Sequence, residues 1–158
     1  MGVLIKLDEN RIYRVPLDGS GKTEPVISTP HVFLNGLNIS PDGKRLIAAV
    51  HKTEGQQVRV KIAFLEIGSP GQEQWLDAPR CSGGAQFAPD GKSVLYEIRE
   101  NGVGNIWMQS VGGPAGHPIT NFKSEQIWSF SLSPDGKSLG VLRGHHDSDV
   151  VLLKESKP

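Results

Sequence analysis

Two histidines and two aspartates crowd together late in the chain, in Gly144-His145-His146-Asp147-Ser148-Asp149. Imidazole nitrogens and carboxylate oxygens are the donor set of a divalent cation site. His145, His146, Asp147 and Asp149 are therefore the candidate metal ligands. The spacing argues against them. No Glu, Asp or Cys elsewhere is tied to this segment, and the equivalent stretches upstream read Lys52-Thr53-Glu54-Gly55 and Glu100-Asn101-Gly102. These are loop sequences joining two strands, so an exposed loop is the preferred reading and no metal ligand is assigned.

The other chemically suggestive segments resolve the same way. Asp18-Gly19-Ser20-Gly21-Lys22-Thr23 resembles half of a phosphate-binding loop. The full pattern needs a glycine at position 16, which holds Pro16, and a helix after the Thr, where Pro25 and a β-rich stretch follow instead. Cys81 is the single cysteine, which excludes an internal disulfide and a cysteine-based zinc site. It reads as a small packed residue. The three Trp residues could line a ligand surface, but Trp107 and Trp128 stand in alternating strands and are expected to pack between neighbouring layers. No Gly-x-Ser-x-Gly elbow, His-Arg-Asp or Asp-Phe-Gly is present. The sequence thus assigns no catalytic residue and no cofactor.

What positions these residues is a repeat. Three segments align: GLNISPDGKRLIAAV (36–50), GAQFAPDGKSVLYEI (84–98) and SFSLSPDGKSLGVLR (129–143). Their prolines, Pro41, Pro89 and Pro134, stand 48 and 45 residues apart, a period in the range of propeller blades. Pro presets φ for the first central turn position, Asp tolerates the next, and Gly takes the left-handed one. The expectation is a tight hairpin with a bulge, followed each time by an apolar strand. Asp42, Asp90 and Asp135 are turn formers first. Between the hairpins a second unit recurs, Arg11-Ile12-Tyr13-Arg14-Val15-Pro16-Leu17 against Asn105-Ile106-Trp107-Met108-Gln109-Ser110-Val111. Both alternate apolar and polar residues, as half-buried strands do. A glycine turn follows each, then a short outer strand ending in Thr.

Each repeat therefore holds four strands, inner to outer. The fold class expected is all-β, a partial β-propeller of about three and a half four-stranded blades in a single domain spanning 1–158. A blade part occupies 2–28, full blades about 33–77 and 82–120, and a last part 126–154, which ends in a third strand at Asp149-Val150-Val151-Leu152-Leu153. The Pro-Asp-Gly-Lys hairpins with their flanking strands, Asn-Ile-Trp-Met-Gln-Ser-Val-Gly-Gly and Pro-Ile-Thr resemble the TolB-like, WD40-like propeller repeat over nearly the whole chain. Residues from Asn105 to Glu155 also resemble the last repeats of propellers fused to bacterial serine/threonine protein kinases, and to winged-helix regulators. The resemblance implies a non-catalytic binding or scaffold module with a sensory or interaction role. The alternative is an accessory domain of a prolyl-oligopeptidase-type hydrolase or of a kinase. A free-standing periplasmic scaffold is a third reading, and it implies an extracytoplasmic parent.

An open arc leaves apolar faces and strand edges uncovered. The chain is expected to be a fragment whose missing part lies upstream, because it starts inside a blade. The rival is closure by a second copy, but that would supply six strands for four places. The partner, protein or small ligand, is not named by the sequence. Lys plus Arg and Asp plus Glu both number 17, without a clustered basic face for nucleic acid. No apolar run reaches the length of a membrane span, and the apolar start of MGVLIKLDENR is too short for a signal peptide.

Overall fold

The computed structural model describes residues 2–8, 10–34, 36–69, 71, 73–76, 78 and 81–147, for 2–8, 82 and 83 through the backbone alone. The third strand expected at 149–153 lies outside the described residues, as does Asp149.

Strands build four antiparallel sheets in chain order. The first is β1 (Gly2–Asp8), β2 (Arg11–Pro16) and β3 (Glu24–Ser28), paired in that order. The second holds β4 (Val32–Phe33), β5 (Asn38–Ile39), β6 (Arg45–Glu54), β7 (Gln57–Glu66) and β8 (Glu73–Trp75). There β4 and β5 both pair with β6, and β7 and β8 follow outward. The third runs β9 (Cys81–Phe87), β10 (Ser93–Glu100), β11 (Val103–Ser110) and β12 (His117–Pro118). The fourth pairs β13 (Gln126–Leu132) with β14 (Leu139–Gly144). No helix of the described residues is long and apolar enough to cross a membrane.

The hairpins form as the turn chemistry dictates. Gly43, Gly91 and Gly136 hold φ of 70°, 62° and 70°. The amide of each donates to the carbonyl three residues back, Ser40, Ala88 or Ser133, at 2.8, 2.9 and 2.8 Å. Asp42 Oδ1 accepts from the Ser40 hydroxyl at 2.5 Å and the Lys44 amide at 3.1 Å. Asp135 repeats this with Ser133 at 2.6 Å and Lys137 at 3.1 Å. These donors, the serine hydroxyl first, hold both carboxyls below the usual aspartate range. In the middle hairpin Ala88 replaces the serine, and Asp90 accepts from the amides of Lys92 and Ser93.

Strands β6 and β10 explain why the sequence reads apolar after each hairpin. Successive side chains point to opposite faces, and here both faces are covered. Leu46, Ala48 and Val50 meet Ile12 and Ile27 of the first sheet, together with Phe33 of β4 in their own sheet. Ile47 on the other face joins Ala85, Phe87, Val94 and Tyr96 of the third sheet. Leu95 then packs with Ile106 and Ile127 toward the fourth sheet. The core is thus a series of layers, each between two consecutive sheets. Trp107 packs against the layer of Tyr96, as its alternating strand predicts.

Polar links cross the same seams. Between the first two sheets, Glu73 accepts from the Thr29 hydroxyl and lies 3.2 Å from His31 Nε2. Arg45 Nη2 donates to the Gly91 carbonyl at 3.1 Å, across the second seam.

Candidate functional site

The inner strands are broken within one residue of a shared repeat position. In the second sheet the break separates β4 from β5, and Gly36 there has φ 91°. In the third, β9 slips past β10 between Ala85 and Cys81, and Gly84 has φ 66°. In the fourth, the ladder jumps from Ile127–Arg143 to Ser129–Leu142, which leaves Trp128 as the extra residue. Positions 36, 84 and 129 are equivalent in the repeat, and Trp128 stands one place before Ser129, so the breaks fall within one residue of one another. A bulge removes a residue from the ladder and re-aims its side chain.

Together these breaks open a cleft of about 920 Å³. Leu34, Gly36 and Asn38 line it from the second sheet, Gly84 and Gln86 from the third, and Trp128 and Ser129 from the fourth. At Gly36 glycine is needed for close approach as well as for φ. A Cβ on Gly36 would lie 3.2 Å from the Gly84 Cα.

At the cleft, β10 carries Glu97, only 6% exposed. A buried carboxylate is costly unless paired, and Arg99 meets it, with Nε 3.2 Å from Oε1 and Nη2 3.4 Å from Oε2. Arg99 Nη2 also reaches the Ile127 carbonyl at 3.3 Å and so ties the third sheet to the fourth. Gly104 of β11 makes room here, since a Cβ on it would stand 2.5 Å from Glu97 Oε1 and 2.8 Å from the Ile127 amide nitrogen. Asn38 Oδ1 accepts from the Phe87 amide at 2.9 Å. Gln86, its repeat equivalent, has a buried Nε2 that donates to no acceptor among the described residues.

Trp128 departs from the expectation of interior packing. It is 48% exposed. The bulge turns it out of the layered core, and Gly144 lets the ring lie close, because a Cβ there would be 2.7 Å from Trp128 Cη2. The His146 ring flanks it at 5.5 Å between centroids.

The candidate metal residues are dispersed around this point. His146 faces the cleft beside Trp128. His145 lies 3.2 Å from Asp147 and 3.8 Å from Glu125, with side chains 67%, 89% and 36% exposed. Among the described residues no three such donors converge on a common point. The Asp18–Thr23 segment is an exposed turn after β2, with Asp18 Oδ1 accepting from the Ser20 amide. Cys81 is buried, and its thiol lies 3.6 Å from the Val60 carbonyl. Asp42, Asp90 and Asp135 do not line the cleft.

No family model and no curated protein matches this sequence. Solved structures do. TolB from Acinetobacter baumannii superposes with a TM-score of 0.68 at 23% identity, over 89% of this chain and 34% of that one. The fold is that of a TolB-like β-propeller. A putative TolB from Agrobacterium tumefaciens matches with a TM-score of 0.52 at 20% identity, covering 94% of this chain and 67% of that one. Kuenenia stuttgartiensis hydrazine synthase matches at 0.60 and 21% identity, over 84% of this chain and 43% of that one. The TolB-like arc thus spans about a third of the length of the A. baumannii TolB chain. Its cleft lies where the inner strands of successive propeller sheets face one another.

Proposed function

We propose that this chain is a non-catalytic binding module, part of a larger propeller, whose ligand sits in the cleft along the inner strands. One observation carries the reading. Three successive sheets break their inner strands within one residue of the same repeat position, and the breaks face a single cleft with an exposed tryptophan in it. Large apolar side chains left outside the core at a concave, partly polar surface are the usual make-up of a ligand site. The volume falls in the range of roughly 300–1,000 Å³ typical of such sites. Membership of a larger protein is supported by the share of the A. baumannii TolB chain that the arc matches.

A second reading has its own support. A chain of hydrazine synthase carries the same fold over part of its length. On that precedent the propeller is an accessory domain of an enzyme, whose chemistry is supplied by another domain.

Thermal-shift screening of the purified chain against mixed small molecules and peptides tests the first reading, with Trp128→Ala beside the wild type. Ligands that raise the melting temperature of the wild type alone support a cleft-binding module. Ligands acting equally on both proteins would place binding elsewhere and overturn it.

A further inference from the structure

We infer that the cleft takes a neutral sugar ring, stacked on Trp128. The inference rests on the reading of the cleft as a binding face and deepens it. The first support is the indole itself. Trp128 is pushed out of the ladder by the bulge, lies over Gly144 with the His146 ring 5.5 Å from it, lines the cleft and stays 48% exposed. A flat, exposed indole held in place is a platform for the C–H face of a pyranose, which is apolar on that face and polar at its rim.

The second support is charge. The carboxylate and guanidinium lining the cleft, Glu97 and Arg99, neutralise one another at 3.2 Å. The only other ionisable side chains of the lining are the imidazoles of His51 and His146, so the cleft offers no fixed net charge to select an ion, and the ligand it favours is uncharged. The third is hydrogen bonding. Gln86 lines the cleft with a buried Nε2 that has no acceptor among the described residues, a donor that a ligand hydroxyl oxygen would satisfy. Ser129 and Gln126 add further neutral groups to the lining. An extended peptide fits less well. Added strands need a continuous edge, and the inner edges are interrupted by their bulges.

Ligand-observed saturation-transfer NMR on the full chain tests this, with cellobiose, maltose and chitobiose as probes. At least one disaccharide is expected to bind, with strongest saturation on the axial C–H protons of one ring. Trp128→Ala is expected to weaken that binding by about tenfold, and Gln86→Leu by about threefold. Circular-dichroism melts check that each variant is folded. Should Trp128→Ala fail that check, Gly144→Ala serves instead, since its methyl displaces the indole from the far side and is expected to weaken binding likewise. Absence of transfer from all three sugars overturns the sugar assignment. If a pool of capped decapeptides then shifts the Trp128 indole resonance, the cleft remains a binding face with another ligand. If neither sugars nor peptides move it, both readings fall.

Discussion

Pro41 of one hairpin lies against Gly91 of the next, where a Cβ would sit 3.5 Å from the proline Cδ. Pro89 meets Gly136 in the same way, at 3.6 Å from its Cγ. The Pro-Asp-Gly turns therefore do two jobs. Each closes its own hairpin, and the second and third also seat their glycines on the proline of the preceding one. Repetition of a local turn becomes repetition of a contact between sheets. Arg45 strengthens the first of these contacts by donating to the Gly91 carbonyl.

The distances decide how Gly91 is used. At 3.5 Å a methyl makes ordinary contact with Pro41, so space is not the constraint. The constraint is φ, at 62°. Gly91→Ala should cost about 1–2 kcal/mol in urea denaturation, the penalty of a Cβ in the left-handed region. Gly91→Asn should cost less, because Asn tolerates that region. An Asn variant less stable than the Ala variant would mean that crowding, not backbone conformation, governs the site.

The serine in the first and last hairpins has an acid-side signature. The hydroxyls of Ser40 and Ser133 hold Asp42 and Asp135 below their ordinary value of 3.8. A carboxyl lowered by folding adds stability above its unfolded pKa, and that contribution is lost as pH falls through the folded value. Stability should therefore decline below about pH 4. Ser133→Ala should raise the Asp135 midpoint toward the ordinary value, as followed by carboxylate carbon shifts in an NMR titration. An unchanged midpoint would show that the hydroxyl does not hold the charge.

Much of this arrangement is legible in the sequence because its causes are local. The hairpins follow from Pro, Asp and Gly within four residues. The apolar runs of β6 and β10 follow from burial on both faces. The cleft is another matter. Which residue drops out of a ladder depends on the partner strand, so Trp128 in Gln-Ile-Trp-Ser-Phe-Ser-Leu reads as one more interior aromatic. Gly36 and Gly84 carry a faint signal, since both precede a hairpin by the same interval and both adopt positive φ. Glu97 gives none. It occupies the place of Ala49 in the preceding repeat, and its burial is settled by Arg99, Gly104 and Ile127 together.

Gly104 should be intolerant of even a methyl group. Its own backbone is unstrained, yet an added Cβ would press on a buried carboxylate at 2.5 Å and a backbone nitrogen at 2.8 Å. The carboxylate could shift only by disturbing its contacts with Arg99, and the nitrogen belongs to β13. Gly104→Ala should destabilise the chain by about 2 kcal/mol, the scale of overpacking in a dense core. Chemical denaturation checks it. A neutral result would show that the third and fourth sheets are packed more loosely than these distances require.

Asn38 separates hydrogen bonding from packing at the cleft. Its Oδ1 is the acceptor for the Phe87 amide, at 2.9 Å, so one side chain bridges the inner strands of two sheets. Asn38→Ala removes the acceptor and leaves that N–H without its partner, a loss of about 1–3 kcal/mol where water cannot replace it. Asn38→Asp keeps an oxygen in place and should recover most of the loss at neutral pH. Hydrogen exchange localises the effect. The Phe87 amide should exchange much faster in the alanine variant and close to wild type in the aspartate variant. Equal acceleration in both would mean that the carboxamide acts through its NH₂ group, and the bridge between the two inner strands would need another description.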